Sequence, residues 1–135
     1  MSYTTEQARH LYNMAFMLEL SGCELLRDAE LVVKECNGVG SDWMPELMRR
    51  ACTELNPVME LPAAIHDRRY SHGTTRQDRQ FADDEFLANC YTVINHEYAW
   101  WNPLRYMFRK RAKRYYGYLR AFGGVAFNAG KGEKK

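Results

Sequence analysis

Two Asn-Pro pairs and one pair of glycines decide how this chain can be divided. Proline removes a backbone donor and pushes the residue before it towards extended backbone, so Asn56-Pro57 and Asn102-Pro103 mark breaks. The stretch Asn37 to Ser41, NGVGS, puts two glycines within three residues and reads as a loop. Nearly everything between these breaks carries helical signals. Thr4-x-x-Gln7 is a capping box, and Ala8, Leu11, Tyr12, Ala15 and Phe16 behind it keep helical spacing. Ser21-x-x-Glu24 reads as a second box, followed by Leu25, Ala29 and Val32. Glu30 to Glu35, ELVVKE, suits a helix better than a strand.

A short helix is expected near Pro45 to Leu55, closed by Asn56-Pro57, and Pro62 suits the first residue of the next. That helix holds His66, Asp67 and Tyr70 and stops near Gly73. Thr75 caps its successor, in which Leu87, Tyr91, Ile94, Tyr98 and Trp101 form the expected buried stripe. Asn102 with Pro103 behind it starts a last helix running to about Phe122. The expected fold is therefore all-α, one small helical domain over residues 1–127 with a flexible basic tail at 128–135. A short connection at Thr74-Thr75 makes antiparallel neighbours of the helices bearing His66 and Asp83.

A chain of 135 residues with 46% apolar residues can bury one core, and a net charge of +2 means that any basic surface comes from segregation. The N-terminus lacks the basic start and apolar run of an export signal, and no apolar stretch approaches the roughly 18 residues of a membrane span. Cys23, Cys36, Cys52 and Cys90 form no C-x-x-C pair, so zinc is disfavoured and the thiols are expected reduced, mostly buried, in a cytoplasmic protein. His10, His72 and His96 fit no metal spacing.

The segment Pro62 to Gly73, PAAIHDRRYSHG, concentrates the chemistry. Residues 66 and 70 share a helical face, whereas residues 66 and 67 point about 100° apart and address different partners. A histidine on one side can act as a base while a carboxylate on the other binds a hard cation. An orienting carboxylate for His66 can come from Phe81 to Phe86, FADDEF, where spacing alone leaves Asp83 and Asp84 open.

The order Gly-x-Gly, His-Asp-x-x-Tyr and Ala-Asp-x-x-Phe resembles the calcium-dependent phospholipase A2 superfamily, over about Cys36 to Cys90. The likeness is to its small microbial and viral branches more than to the disulfide-rich secreted enzymes, which carry a cysteine where Arg69 stands. It implies calcium-dependent hydrolysis of a phospholipid ester. His66 would be the general base activating water and Asp83, chosen because Phe86 follows it at the family's spacing, would fix its tautomer. Tyr70 would support that carboxylate. Asp67 and the backbone carbonyls of Cys36, Gly38 and Gly40 would hold Ca2+.

The last helix is unusual in another way. From Pro103 to Phe122 there is no acid, while Arg105, Arg109, Lys110, Arg111, Lys113, Arg114 and Arg120 interleave with Tyr106, Phe108, Tyr115, Tyr116, Tyr118 and Phe122. Such a surface suits a phospholipid or anionic membrane. It also suits nucleic-acid phosphates, a less favoured partner, or a solvated face whose aromatics enter the core. Beside the esterase stands a catalytically silent phage or mobile-element protein on the same scaffold that binds a protein partner.

Overall fold

A computed structural model describes residues 3–35 and 44–128. Every element in them is helical: α1 (Thr5–Met17), a 3-10 turn (Cys23–Leu26), α2 (Ala29–Glu35), α3 (Glu46–Leu55), α4 (Glu60–His72), α5 (Arg76–Glu97), α6 (Pro103–Phe122) and α7 (Gly124–Asn128). The all-α expectation holds.

Local capping chemistry explains the starts of α1, α5 and α6. The Thr4 hydroxyl accepts from the Gln7 N–H at 3.0 Å, and Gln7 Oε1 accepts from the Thr4 N–H at 2.9 Å. Thr75 and Asp78 make the same reciprocal pair at 3.0 and 3.1 Å. Asn102 Oδ1 accepts from the Leu104 N–H at 2.9 Å, with Pro103 in the first turn.

Three local expectations are corrected. Ser21 and Glu24 make no capping box: Gly22 adopts φ 84° and the chain turns into the 3-10 segment. The Ser21 hydroxyl donates instead to Glu85 Oε2 at 2.7 Å, while its backbone N–H and C=O pair with the Asn89 amide at 3.0 and 2.9 Å. Long-range partners on α5 displace the local one, and Asp28 receives the Glu30 and Leu31 N–H groups at the start of α2. Helix α4 starts at Glu60, before Pro62, because first-turn N–H groups lack intrahelical partners and proline loses nothing there. The buried line of α5 is Ala82, Asp83, Phe86, Cys90, Val93 and Ile94; Leu87 and Tyr91 are only partly buried, and α5 ends before Tyr98 and Trp101. Helix α7 runs through Asn128.

Helix α5 lies between α4 and α6. Tyr70 meets Asp83 and, one turn back along α4, His66 meets Phe86 one turn forward along α5, so the two run antiparallel. Arg105 meets Asn95 and Arg120 meets Gln80, so α6 returns antiparallel along α5. Helix α3 rests on α6 through Glu54, whose carbonyl and carboxylate take Arg111 and Arg114 at 3.0 and 2.9 Å. Helices α1 and α2 and the 3-10 turn cover α4. The centre is filled by Leu26, Met48, Leu55, Ile65, Phe86, Ile94 and Leu119.

Cys23, Cys52 and Cys90 are free thiols; Cys36 lies outside the described residues. No described helix is long and apolar enough to cross a membrane.

Because Phe86 is 2% exposed and touches both His66 and Tyr115, Phe86→Ala should cost about 3–5 kcal/mol of unfolding free energy. Leu47→Ala, on the solvent side of α3, should stay within about 0.5 kcal/mol. Urea titrations of the two variants check the contrast.

Candidate active site

A charged carboxylate sits at the centre of the α4–α5–α6 junction. The Asp83 side chain is completely buried, and such a charge survives only when its lone pairs are filled. Oδ1 pairs with His66 Nε2 at 2.8 Å and accepts from the Tyr70 hydroxyl at 2.7 Å. Oδ2 accepts from an Arg120 Nη at 2.6 Å, with Arg79 Nε a further 3.9 Å ion-pair neighbour. Burial alone would raise the acid, but the bonds from His66, Tyr70 and Arg120 outweigh it and hold Asp83 below the usual carboxylate range. Tyr70 is pushed the other way: burial first, then the Asp83 charge, raise its phenol and keep it a donor.

This fixes the imidazole tautomer. An ionised carboxylate only accepts, so the proton of a neutral His66 lies on Nε2 and Nδ1 keeps a lone pair. Nδ1 makes no hydrogen bond among the described residues and is not a sealed polar atom. The ring is itself buried, with Tyr70 4.0 Å and Phe86 5.4 Å away between centroids. Tyr70 in turn meets Phe127 of α7 edge-on at 5.1 Å. Gly123 lets α7 cross close over this point, since a Cβ there would lie 2.9 Å from the Tyr70 hydroxyl.

Asp67 lies beside this junction, close enough for its charge to act on His66 and on Tyr115 of α6. Its side chain is exposed and has no hydrogen bond or ion pair among the described residues. Protein atoms nevertheless crowd it, and the resulting desolvation pushes its acid up to about 6, against the pull of His66. Water reaches the group, so solvent screening trims the energetic consequence. It is an available oxygen ligand that folding leaves uncompensated. The carbonyls of Cys36, Gly38 and Gly40 lie outside the described residues. Among the described residues no three His, Cys, Asp or Glu side chains converge as a metal site.

The structure thus brings together His66, Tyr70 and Asp83 and places Asp67 beside them. Asp84 points outward, accepting from Tyr116 at 2.6 Å and Gln80 at 2.9 Å. Sequence reasoning missed Arg120 and Arg79. An acid-free α6 signals that its arginines must find acids elsewhere, but nothing in the spacing selects Arg120. Arg79 Nη2 also donates to the Leu119 and Arg120 carbonyls at 2.7 and 3.0 Å, capping α6 from α5. Behind the site Arg69 makes a two-pronged bond to buried Glu85 at 3.0 and 2.9 Å. Gly22 passes directly over that pair, where a Cβ would come within 2.9 Å of Glu85 Oε2.

The two aspartates give opposite pH signatures. An unfolded aspartate titrates at about 3.9, above Asp83 in the folded chain. The Asp83 contribution is therefore whole above about pH 5 and lost as pH falls through the lower folded value. Asp83→Asn should lower stability at pH 7 by about 3–5 kcal/mol, by leaving Arg120 without its acid, and flatten the acid limb of the stability curve. Asp67 titrates near 6 when folded, so its contribution falls as pH rises from about 4 to about 6. Asp67→Asn should raise stability at pH 7 by up to about 1 kcal/mol, a gain that shrinks below about pH 4. Denaturant titrations from pH 3 to 8 read both.

Set against protein-family models, curated proteins and solved structures, the chain finds no match, and the chemistry of the site rests on its own geometry.

Proposed function

We propose that the chain is a calcium-dependent esterase of the phospholipase A2 type, acting on phospholipid ester bonds. The observation that carries the reading is the His66–Asp83 pair: one ring nitrogen is committed to a buried carboxylate, and the other keeps an acceptor that is unpaired among the described residues. A base of this kind takes a proton from water as the water oxygen attacks an ester carbonyl. Asp83 stabilises the imidazolium that forms, and Tyr70 and Arg120 hold Asp83 in place. The proton then passes from His66 to the departing alcohol oxygen, releasing fatty acid and lysophospholipid.

The fit to calcium rests on Asp67, an accessible carboxylate without a competing partner among the described residues, next in sequence to the base. The carbonyls of Cys36, Gly38 and Gly40 would complete the protein's ligands. When bound, the ion would neutralise charge developing on the ester oxygen.

Fatty-acid release from mixed phospholipid vesicles, with calcium or with chelator, tests the reading. Release should require calcium. His66→Ala should lower the rate by about 10²–10⁴-fold while calcium still binds. Asp67→Asn should keep the base and lose calcium affinity, read directly by calorimetry. Folded wild-type protein that releases no fatty acid with calcium would refute the esterase, leaving the silent scaffold that binds a protein partner.

A further inference from the structure

We infer that the turn between α5 and α6, with the exposed face of α6 behind it, is an anchor for anionic lipid membranes. Trp100 and Trp101 are adjacent in sequence, 73% and 67% exposed, and Leu104 and Tyr106 beside them are 43% and 49% exposed. Four large apolar side chains thus project from a single turn. Tyr106 hydroxyl donates to the Trp100 carbonyl at 2.6 Å, which ties this turn to the first coil of α6.

The exposed positions continue along α6 as Tyr106, Lys110, Lys113 and Gly117, at the three- and four-residue steps of one helix face. Lys110 and Lys113 have no ion pair among the described residues. From Tyr98 to Asn128 the chain contains no acid, so nothing in this segment opposes an anionic surface.

The character of the side chains selects the occupant. Tryptophan and tyrosine suit the headgroup region, where an apolar body meets a polar edge, and lysines reach phosphates as point charges. Nucleic-acid readout would draw on arginines, but those of α6 are occupied: Arg105 by Asn95, Arg111 and Arg114 by Glu54, Arg120 by Asp83. Arg109 lies over the Tyr91 ring at 4.8 Å, which leaves Lys110 and Lys113 as the exposed cations of α6 without a partner among the described residues. A projecting turn enters a fluid interface without needing a concave partner. The tryptophan turn is remote from the candidate active site, since Asp83 and Glu97 at the end of α5 are separated by about 21 Å of helix. It would serve the proposed esterase and stands apart from it.

The test is co-sedimentation of the full chain with phosphatidylglycerol–phosphatidylcholine vesicles and with phosphatidylcholine vesicles. Chelator is present, so neither hydrolysis nor calcium bridging contributes. The chain should sediment with anionic vesicles and partition at least about tenfold more weakly to neutral ones. Trp100→Ser with Trp101→Ser should lower partitioning about tenfold or more on anionic vesicles. Lys110→Glu with Lys113→Glu should remove the preference for anionic lipid, and Asp67→Asn should change nothing. Helical circular dichroism confirms that each variant is folded, and quenching of wild-type tryptophan fluorescence by brominated lipid gives a readout without substitution.

Wild-type chain left in the supernatant, or a folded tryptophan variant that binds as wild type does, overturns the anchor. So does tryptophan-dependent binding of single-stranded DNA or tryptophan-dependent dimerisation without vesicle binding. Hydrolysis of a short-chain phospholipid below its micelle concentration separates the two readings. Vesicle binding without that hydrolysis counts against the esterase alone, and hydrolysis without vesicle binding counts against the anchor alone.

Discussion

A carboxylate buried in the middle of a helical protein dictates much of what surrounds it. Asp83 retains its charge by collecting donors from α4 and α6, so His66, Tyr70 and Arg120 are bound to α5 through one side chain. Both oxygens are used. Turning any of the three helices by one residue, about 100°, would remove a donor and strand a charge. Hydrophobic burial drives these helices together, but it tolerates some sliding. The hydrogen bonds at Asp83 do not, and they set the rotation of each helix about its axis.

The second buried acid, Glu85, works similarly on the other side of α4. Arg69 holds both its oxygens, and Ser21 adds a third donor from the turn that precedes the 3-10 segment. Two acids two residues apart on α5 therefore both hold α4, the first adding α6 and the second the turn before the 3-10 segment. Arg69 thereby supplies a non-covalent link between α4 and α5.

Legibility in the sequence followed the range of the interaction. Thr4, Thr75 and Asn102 announce their helices because each cap lies within three residues of what it caps. His66 and Tyr70 share a face by periodicity alone, whereas choosing Asp83 over Asp84 required a motif spacing. Ser21 misled because its local partner Glu24 competed with Asn89 and Glu85, which are more than 60 residues away. Tyr98 and Trp101 continued an apolar rhythm beyond the point where α5 stops. Arg120 was hidden among seven basic residues on α6, since only the packing of α6 against α5 says which of them meets an acid.

The division of labour around Asp83 also bears on how the sequence could drift. Folding by itself demands that Asp83 keep its donors, so a lineage with no catalytic demand on this site would still retain Tyr70 and Arg120. At position 66 it could accept any side chain that donates to Oδ1. Asp67 is different: exposed, electrostatically unfavourable in its surroundings and without a partner among the described residues, it satisfies none of their hydrogen-bonding needs. An aspartate held at position 67 across diverged homologues would therefore be the mark of selection for a bound cation, separable from selection for the fold.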